Sequence, residues 1–263
     1  MKIPTFVVCG LAKVNNHICI LCQSPNIIRC YDDVDPYTLR KEVKIKQIKR
    51  PWDLTNGPDL NSLYVTDREK NYVWKVKLND RRVTRWLSGI ASPWTISASR
   101  STGHILMVRS GPPSSLELYG PAANLIRCIR LTIDIESPLH AVETTTGNFI
   151  VSHKWRESRC WGVSELTTDG QTVNRFCPNG KAQELNNPIN LTIDADDRVL
   201  VVDFYNYRIV RLESDLRWGQ TLLREDTSDW AHVPLKLCYD RDKRQLVVGH
   251  DRLGGAVDIY RLL

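Results

Sequence analysis

One unit recurs along the chain, and it constrains the fold more than any other feature. Its clearest copy reads Asn187-Pro188-Ile189-Asn190-Leu191-Thr192-Ile193-Asp194, then Arg198-Val199-Leu200-Val201-Val202-Asp203, then Arg208-Ile209-Val210-Arg211-Leu212. An apolar strand is followed by a polar turn, a β-branched strand ending in Asp, a short loop and an alternating strand. Pro51-Trp52-Asp53-Leu54, Pro93-Trp94-Thr95-Ile96, Pro138-Leu139-His140-Ala141 and Pro234-Leu235-Lys236-Leu237 open further copies. The most degenerate begins Cys9-Gly10-Leu11-Ala12.

The position after the proline, or its equivalent, is Cys9, Trp52, Trp94, Leu139, Ile189 and Leu235, at spacings of 43, 42, 45, 50 and 46 residues. A sustained period of this size marks a repeat architecture. Each unit holds three readable strands and a weaker fourth, at residues 43–48, 83–87, 125–129, 173–176 and 220–223 in units one to five. Four-stranded units repeated radially are propeller blades. The expectation is an all-β, six-bladed β-propeller of four-stranded antiparallel blades in a single domain, residues 1–263. The blades span about 9–50, 51–92, 93–137, 138–187, 188–232 and 233–263. Residues 2–8 precede the first unit and are expected to complete blade six as its outer strand, which covers an edge and closes the ring. Gly254-Gly255 reads as a hairpin turn in that blade.

Composition narrows the partners. The chain carries 36 basic and 30 acidic residues, a formal charge of +6. That permits an acidic partner without requiring one. The longest apolar run, residues 6–12, is far below the roughly 20 residues of a membrane-spanning helix, so no membrane partner is expected. Eight cysteines are present. The first residues lack the long apolar core and cleavage site of a secretory leader, so a stand-alone, cytoplasmic, monomeric protein with mostly reduced thiols is expected.

Asp203-Phe204-Tyr205-Asn206-Tyr207-Arg208-Ile209 follows a proline-led strand. This Asp-x-x-Asn-x-Arg-Ile core resembles an NHL repeat. With the sixfold period, the chain resembles the six-bladed NHL propellers that end tripartite-motif ubiquitin ligases. Blade two keeps Asp67; the other blades place Cys22, Arg109, His153 and His250 there. Asp67, Asp203, Asn206 and Arg208 are expected to be blade architecture, the Asp accepting loop N–H groups and the Arg pairing with a carboxylate.

In a four-stranded meander, the loops between second and third strands and the linkers between blades share one face. That reading places Arg50, Trp52, Arg68, Trp94, Arg109, Lys154, Trp155, Arg156, Tyr205, Trp230, His250 and Arg252 there, with Lys49, Lys70 and Arg159 beside them. Arginine and tryptophan suit binding hot spots and stacked bases alike. The alternating run of Lys41, Lys44, Lys46, Lys49 and Arg50 reads as a charged outer strand guarding an edge.

Catalytic readings are weaker on sequence. The peptide-amidating lyase, which the repeat also resembles, uses axial histidines, and none of the six inner positions is one. His140 is a residue out of phase, which on a regular strand turns it away. Asp67, His153 and His250 end alternate second strands, too far from the axis to share a metal. His17, Cys19 and Cys22 have zinc-like spacing, but a strand turns Cys19 and Cys22 to opposite faces. Lactonase-type propellers hold calcium in an axial acidic cluster; Asp53, Asn190 and Glu143 are scattered candidates for one. The expectation is therefore a non-catalytic module without cofactors that binds a protein or peptide on the basic, aromatic face and selects substrates for ubiquitin ligation. The alternatives are a single-stranded RNA-binding propeller and a metal-dependent lyase or lactonase-like hydrolase.

Overall fold

Each proline-led segment suits an edge strand, where a missing N–H breaks no ladder, and each β-branched segment suits a sheet interior. The computed structural model describes residues 2–4, 7–59, 61–90, 93–99, 102–111, 113–177, 184–224, 233–251 and 256–262. The chain opens with β1 (Lys2–Pro4). Blade one is β2 (Val7–Val14), β3 (His17–Gln23), β4 (Ile27–Asp32) and β5 (Leu39–Lys44). Blade two is β6 (Pro51–Asn56), β7 (Ser62–Asp67), β8 (Tyr72–Lys77) and β9 (Val83–Ser88). Blade three is β10 (Pro93–Ala98), β11 (Ile105–Arg109), β12 (Ser115–Tyr119) and β13 (Leu125–Arg130). Blade four is β14 (Ile135–Glu143), β15 (Phe149–Trp155), β16 (Trp161–Leu166) and β17 (Thr172–Phe176). Blade five is β18 (Pro188–Ile193), β19 (Val199–Asp203), β20 (Arg208–Leu212) and β21 (Gly219–Arg224). Blade six is β22 (Val233–Asp240), β23 (Gln245–Asp251) and β24 (Ala256–Arg261), completed by β1.

The ring closes through an antiparallel register of Lys2 with Asp258, Ile3 with Val257 and Pro4 with Ala256. Closure also draws on side chains. Lys13 in blade one bridges Asp33 at 2.8 Å and Asp240 of blade six at 3.3 Å, and Lys243 returns to Asp33 at 2.6 Å. Deleting residues 1–4 should uncover the β24 edge and lower the unfolding midpoint of the whole molecule in one cooperative transition. Urea unfolding followed by circular dichroism tests this; an unchanged midpoint would show that β1 closes nothing.

The core lies between blades. Six apolar clusters, one per blade junction, are formed among the described residues. Second strands are sandwiched on both sides, so β7 and β19 are buried along their whole length. That is why they read as continuous rather than alternating apolar runs. Outer strands are largely exposed or half-buried, and β13 exposes five of its six residues.

Two expectations change. The fourth strand of blade one is Leu39–Lys44, not residues 43–48. Beyond it Ile45 and Ile48 are fully buried in the junction of blades one and two. The Asn26 side-chain amide donates to the Ile48 and Lys49 carbonyls and holds the linker in a turn. The alternation of charge with isoleucine over residues 41–50 thus reflects a plugged linker as well as a strand. Gly254-Gly255 lies outside the described residues.

Candidate functional site

The inner strands share an irregularity that builds the axis of the ring. Each shifts register beside its proline-equivalent position: between Val8 and Gly10, Pro51 and Leu54, Pro93 and Thr95, Glu136 and His140, Pro188 and Asn190, and Pro234 and Lys236. A bulge inserts one residue and resets the pleat, so two consecutive side chains per blade can face the axis. The first set is Cys9, Trp52, Trp94, Leu139, Ile189 and Leu235, an apolar layer around a space of about 50 Å³. The second set is Gly10, Asp53, Thr95, His140, Asn190 and Lys236. The expectation that His140 turns away is therefore corrected: the irregularity between Glu136 and His140, four residues against two of the partner strand, interrupts the regular alternation, and His140 lines the axial cavity.

The second set stitches each blade to the next. Asp53 Oδ2 accepts the Ile96 N–H at 3.0 Å, His140 Nδ1 accepts the Leu191 N–H at 3.3 Å, and Asn190 Oδ1 accepts the Leu237 N–H at 2.8 Å. Thr95 Oγ1 donates to the Leu139 carbonyl at 2.6 Å. Gly10 takes this position in blade one because a Cβ there would lie 2.5 Å from Leu54 Cβ and 2.7 Å from its backbone nitrogen. With no blade-one side chain intervening, Lys236 reaches Asp53, its Nζ 2.7 Å from Oδ1. Both side chains are almost wholly buried.

These groups form the polar floor of a cavity of about 420 Å³. It runs along the inner strands past Asn56, Ser97, Ser99 and Glu143 to the first hairpins, where Gly57 and Gly103 line it. Its opening is thus on the face opposite the tryptophan layer. Burial pushes His140 down to about 4; Asp53 opposes this and Lys236 adds to it. The ring is neutral at pH 7. Since Nδ1 accepts a hydrogen bond, the proton is assigned to Nε2, which lies 3.9 Å from Asp53 Oδ2.

Asp53, Asn190 and Glu143 do gather around one cavity, but the set does not suit a metal ion. Lys236 and the Ile96 N–H hold the Asp53 oxygens, backbone N–H groups occupy His140 Nδ1 and Asn190 Oδ1, and Ser99 donates to Glu143 Oε2. A cation at Asp53 would meet the Lys236 ammonium. Among the described residues no group of three or more His, Cys, Asp or Glu is placed to hold a metal. Asp67, His153 and His250 stay in separate blades. His153 Nε2 is 2.8 Å from Ser164 Oγ, and His250 Nε2 is 3.2 Å from Asp258 Oδ2. His17 lies against Asp32, while Cys19 and Cys22 are buried.

The residues expected on the linker face are spread. Trp52 and Trp94 meet edge to face at 5.8 Å, and the Arg68 guanidinium carbon lies 3.6 Å from the Trp94 centroid and 4.3 Å from that of Trp52. Arg50 donates its backbone N–H to Asp67. Arg109 pairs with Glu117 and Arg156 with Glu136, each at 3.4 Å. Lys154 lies 6.0 Å from the Trp161 ring, and Tyr205 is exposed beside Phe204. Trp155 and His250 are buried, and Trp155 packs on His153. Trp230 and Arg252 lie outside the described residues. Asp203 accepts from Asn186 N–H and Arg208 Nε, each at 2.6 Å, and from Asn206 Nδ2 at 2.9 Å. Asp67 accepts the Lys49 N–H at 2.9 Å and the Arg50 N–H at 3.1 Å, tying down the linker.

No protein-family model matches the chain, and no curated protein matches it in sequence. Solved structures do match in fold. A putative gluconolactonase aligns over 98% of this chain and 89% of its own, at 13% identity and TM-score 0.70. A gluconolactonase from Xanthomonas campestris aligns over 97% and 86%, at 10% identity and TM-score 0.69. Hydrazine synthase from Kuenenia stuttgartiensis aligns over 96% and 83%, at 13% identity and TM-score 0.69. These likenesses establish the propeller fold. They also correct the expectation of a chain without catalytic character: its fold neighbours include enzymes, and its axis carries a buried acid, base and ammonium group that regular-strand phasing concealed. Among the described residues no helix is long and apolar enough to cross a membrane.

Proposed function

We propose that the axial cavity is a metal-independent hydrolytic site for a small lactone or ester. The observation that carries this reading is the Asp53–Lys236 pair beside a neutral, Nε2-protonated His140 on the floor of a one-ended cavity. Asp53 takes a proton from a water whose oxygen attacks the carbonyl carbon. Lys236 Nζ and His140 Nε2–H stabilise the developing oxyanion. The proton then passes to the departing alkoxide, and the lactone opens to a hydroxy acid. The tryptophan layer excludes water from the other end. Ser97, Ser99, Thr55 and Asn56 along the wall suit a hydroxylated substrate, in keeping with the gluconolactonases of the same fold.

The test is pH-stat hydrolysis of a panel of γ- and δ-lactones. Asp53→Asn should reduce kcat/KM by about 100-fold or more, as loss of a general base does. His140→Gln should lower kcat with little change in KM. A chelator should leave the rate unchanged, since Lys236 holds the carboxylate a cation would need. Equal rates for the wild type and both folded variants, or activity abolished by the chelator, would refute the reading.

Arg68 stacked on Trp52 and Trp94 supports a second reading, partner recognition on the opposite face. The NHL-type assignment, which rests on the Asp203–Asn206–Arg208 motif, favours a protein, peptide or single-stranded RNA there. Arg68→Glu should abolish micromolar binding of a mixed single-stranded RNA pool at near-physiological salt if RNA is the partner. Binding only at the weak level of any basic protein removes RNA.

A further inference from the structure

Blade four holds a chemistry that the axial site does not use. Cys160 ends the loop between β15 and β16, and Cys177 directly follows β17. The β16–β17 register pairs Val163 with Phe176, which carries Cys177 to the same end of the blade as Cys160. Their sulfurs lie 3.2 Å apart. Ser158 Oγ is 2.7 Å from Cys160 Sγ. Both residues are partly exposed and both are free thiols, whereas Cys9, Cys19, Cys22 and Cys30 are buried.

The surrounding backbone is already fixed. The Trp155 N–H donates to the Cys160 carbonyl at 2.8 Å, the Arg159 N–H to the Trp155 carbonyl at 3.0 Å, and the Arg156 N–H to the Asp134 carbonyl at 2.9 Å. The two thiols therefore need little chain rearrangement to meet. Cys177 lines a surface depression with Arg156, Arg175, Asp134 and Glu157, which leaves it open to a small reagent.

We propose that Cys160 and Cys177 are a redox-active dithiol, a modification site that closes to a disulfide by exchange with a low-molecular-weight disulfide of the glutathione class. The Cys160 thiolate attacks one sulfur of glutathione disulfide, forming a mixed disulfide and releasing one glutathione thiolate. The Cys177 thiolate then attacks Cys160 Sγ, forming the protein disulfide and releasing the second glutathione. Two electrons pass from the protein thiols to the reagent, and the two thiol protons end on two glutathione molecules. Cys177 is suited to the second, resolving step by position, its sulfur already 3.2 Å from Cys160 Sγ; burial first, and then the neighbouring Cys160 sulfur, push its thiol up to about 11, which disfavours it for the first attack. Closure staples the end of β17 to the loop carrying Arg156 and Arg159, which couples the linker face to redox state.

The experiment treats the full chain with glutathione disulfide, quenches with acid, alkylates under denaturing conditions and maps peptides by mass spectrometry. The expected result is loss of the alkylatable thiols of both Cys160 and Cys177, one peptide pair joined through these two residues, no retained glutathione at either position, and full reversal by dithiothreitol. Cys177→Ser should instead trap a stable glutathione adduct on Cys160. Exposed Cys128 serves as the control for reagent action. A glutathione adduct persisting at Cys160 in the wild type, a disulfide joining other cysteines, or two free thiols here under conditions that modify Cys128 would each overturn the proposal.

Discussion

Between pH 7.5 and pH 5 the protein should lose about 4 kcal/mol of stability through two buried histidines alone. Burial pushes both His140 and His153 down to about 4 from an ordinary value near 6.5. For a base whose value is depressed on folding, the unfolded chain binds more protons below pH 6.5. Stability is therefore complete above that pH and falls as pH drops toward 4. Each histidine contributes a slope of up to ~1.4 kcal/mol per pH unit. Their environments differ. Asp53 partly offsets the burial of His140, while His153 has the Lys154 carbonyl and the Ser164 hydroxyl. A domain of this kind has about 5–15 kcal/mol to lose, so the urea midpoint should fall steeply on acidification. His153→Gln, which keeps a polar group near Ser164, should roughly halve the slope. A midpoint flat from pH 7.5 to pH 5 would show that neither ring is held neutral.

The sequence carries the ring more legibly than the site, and the reason is the range of the interactions. Proline, a β-branched run and a polar turn repeat at local spacing, so blade number, strand order and closure by the first strand can all be read directly. The Asp203–Arg208 pair is legible for the same reason, since its partners are five residues apart. The axial cluster is not. Lys236 and Asp53 are 183 residues apart and meet only because the ring closes. Regular alternation gives His140 the wrong face, because every inner strand carries a register irregularity beside this position. A usable signal was present, however. The position one beyond each counted residue is Gly10, Asp53, Thr95, His140, Asn190 and Lys236. A polar or absent side chain at every copy of an otherwise apolar strand marks a second inward row. The linker isoleucines Ile45 and Ile48 mislead in the opposite sense: their alternation with lysine imitates a strand, while the Asn26 amide that ends it lies in an earlier turn.

Replacing Lys236 by methionine should cost about 3–5 kcal/mol at pH 7, although methionine fills much of the same volume. The loss comes from what remains. Asp53 stays buried with the Ile96 N–H on one oxygen and His140 Nε2 at 3.9 Å, and no other cation among the described residues pairs with it. Removing both charges in Asp53→Leu, Lys236→Met should recover most of the loss, because breaking a buried pair costs far more than replacing it whole. A double-mutant cycle in urea measures the coupling. If the single and double variants are equally destabilised, the pair contributes only packing. Strong coupling with restored stability but abolished lactone hydrolysis would mean that the pair is kept for chemistry, since an apolar axis holds the ring together as well.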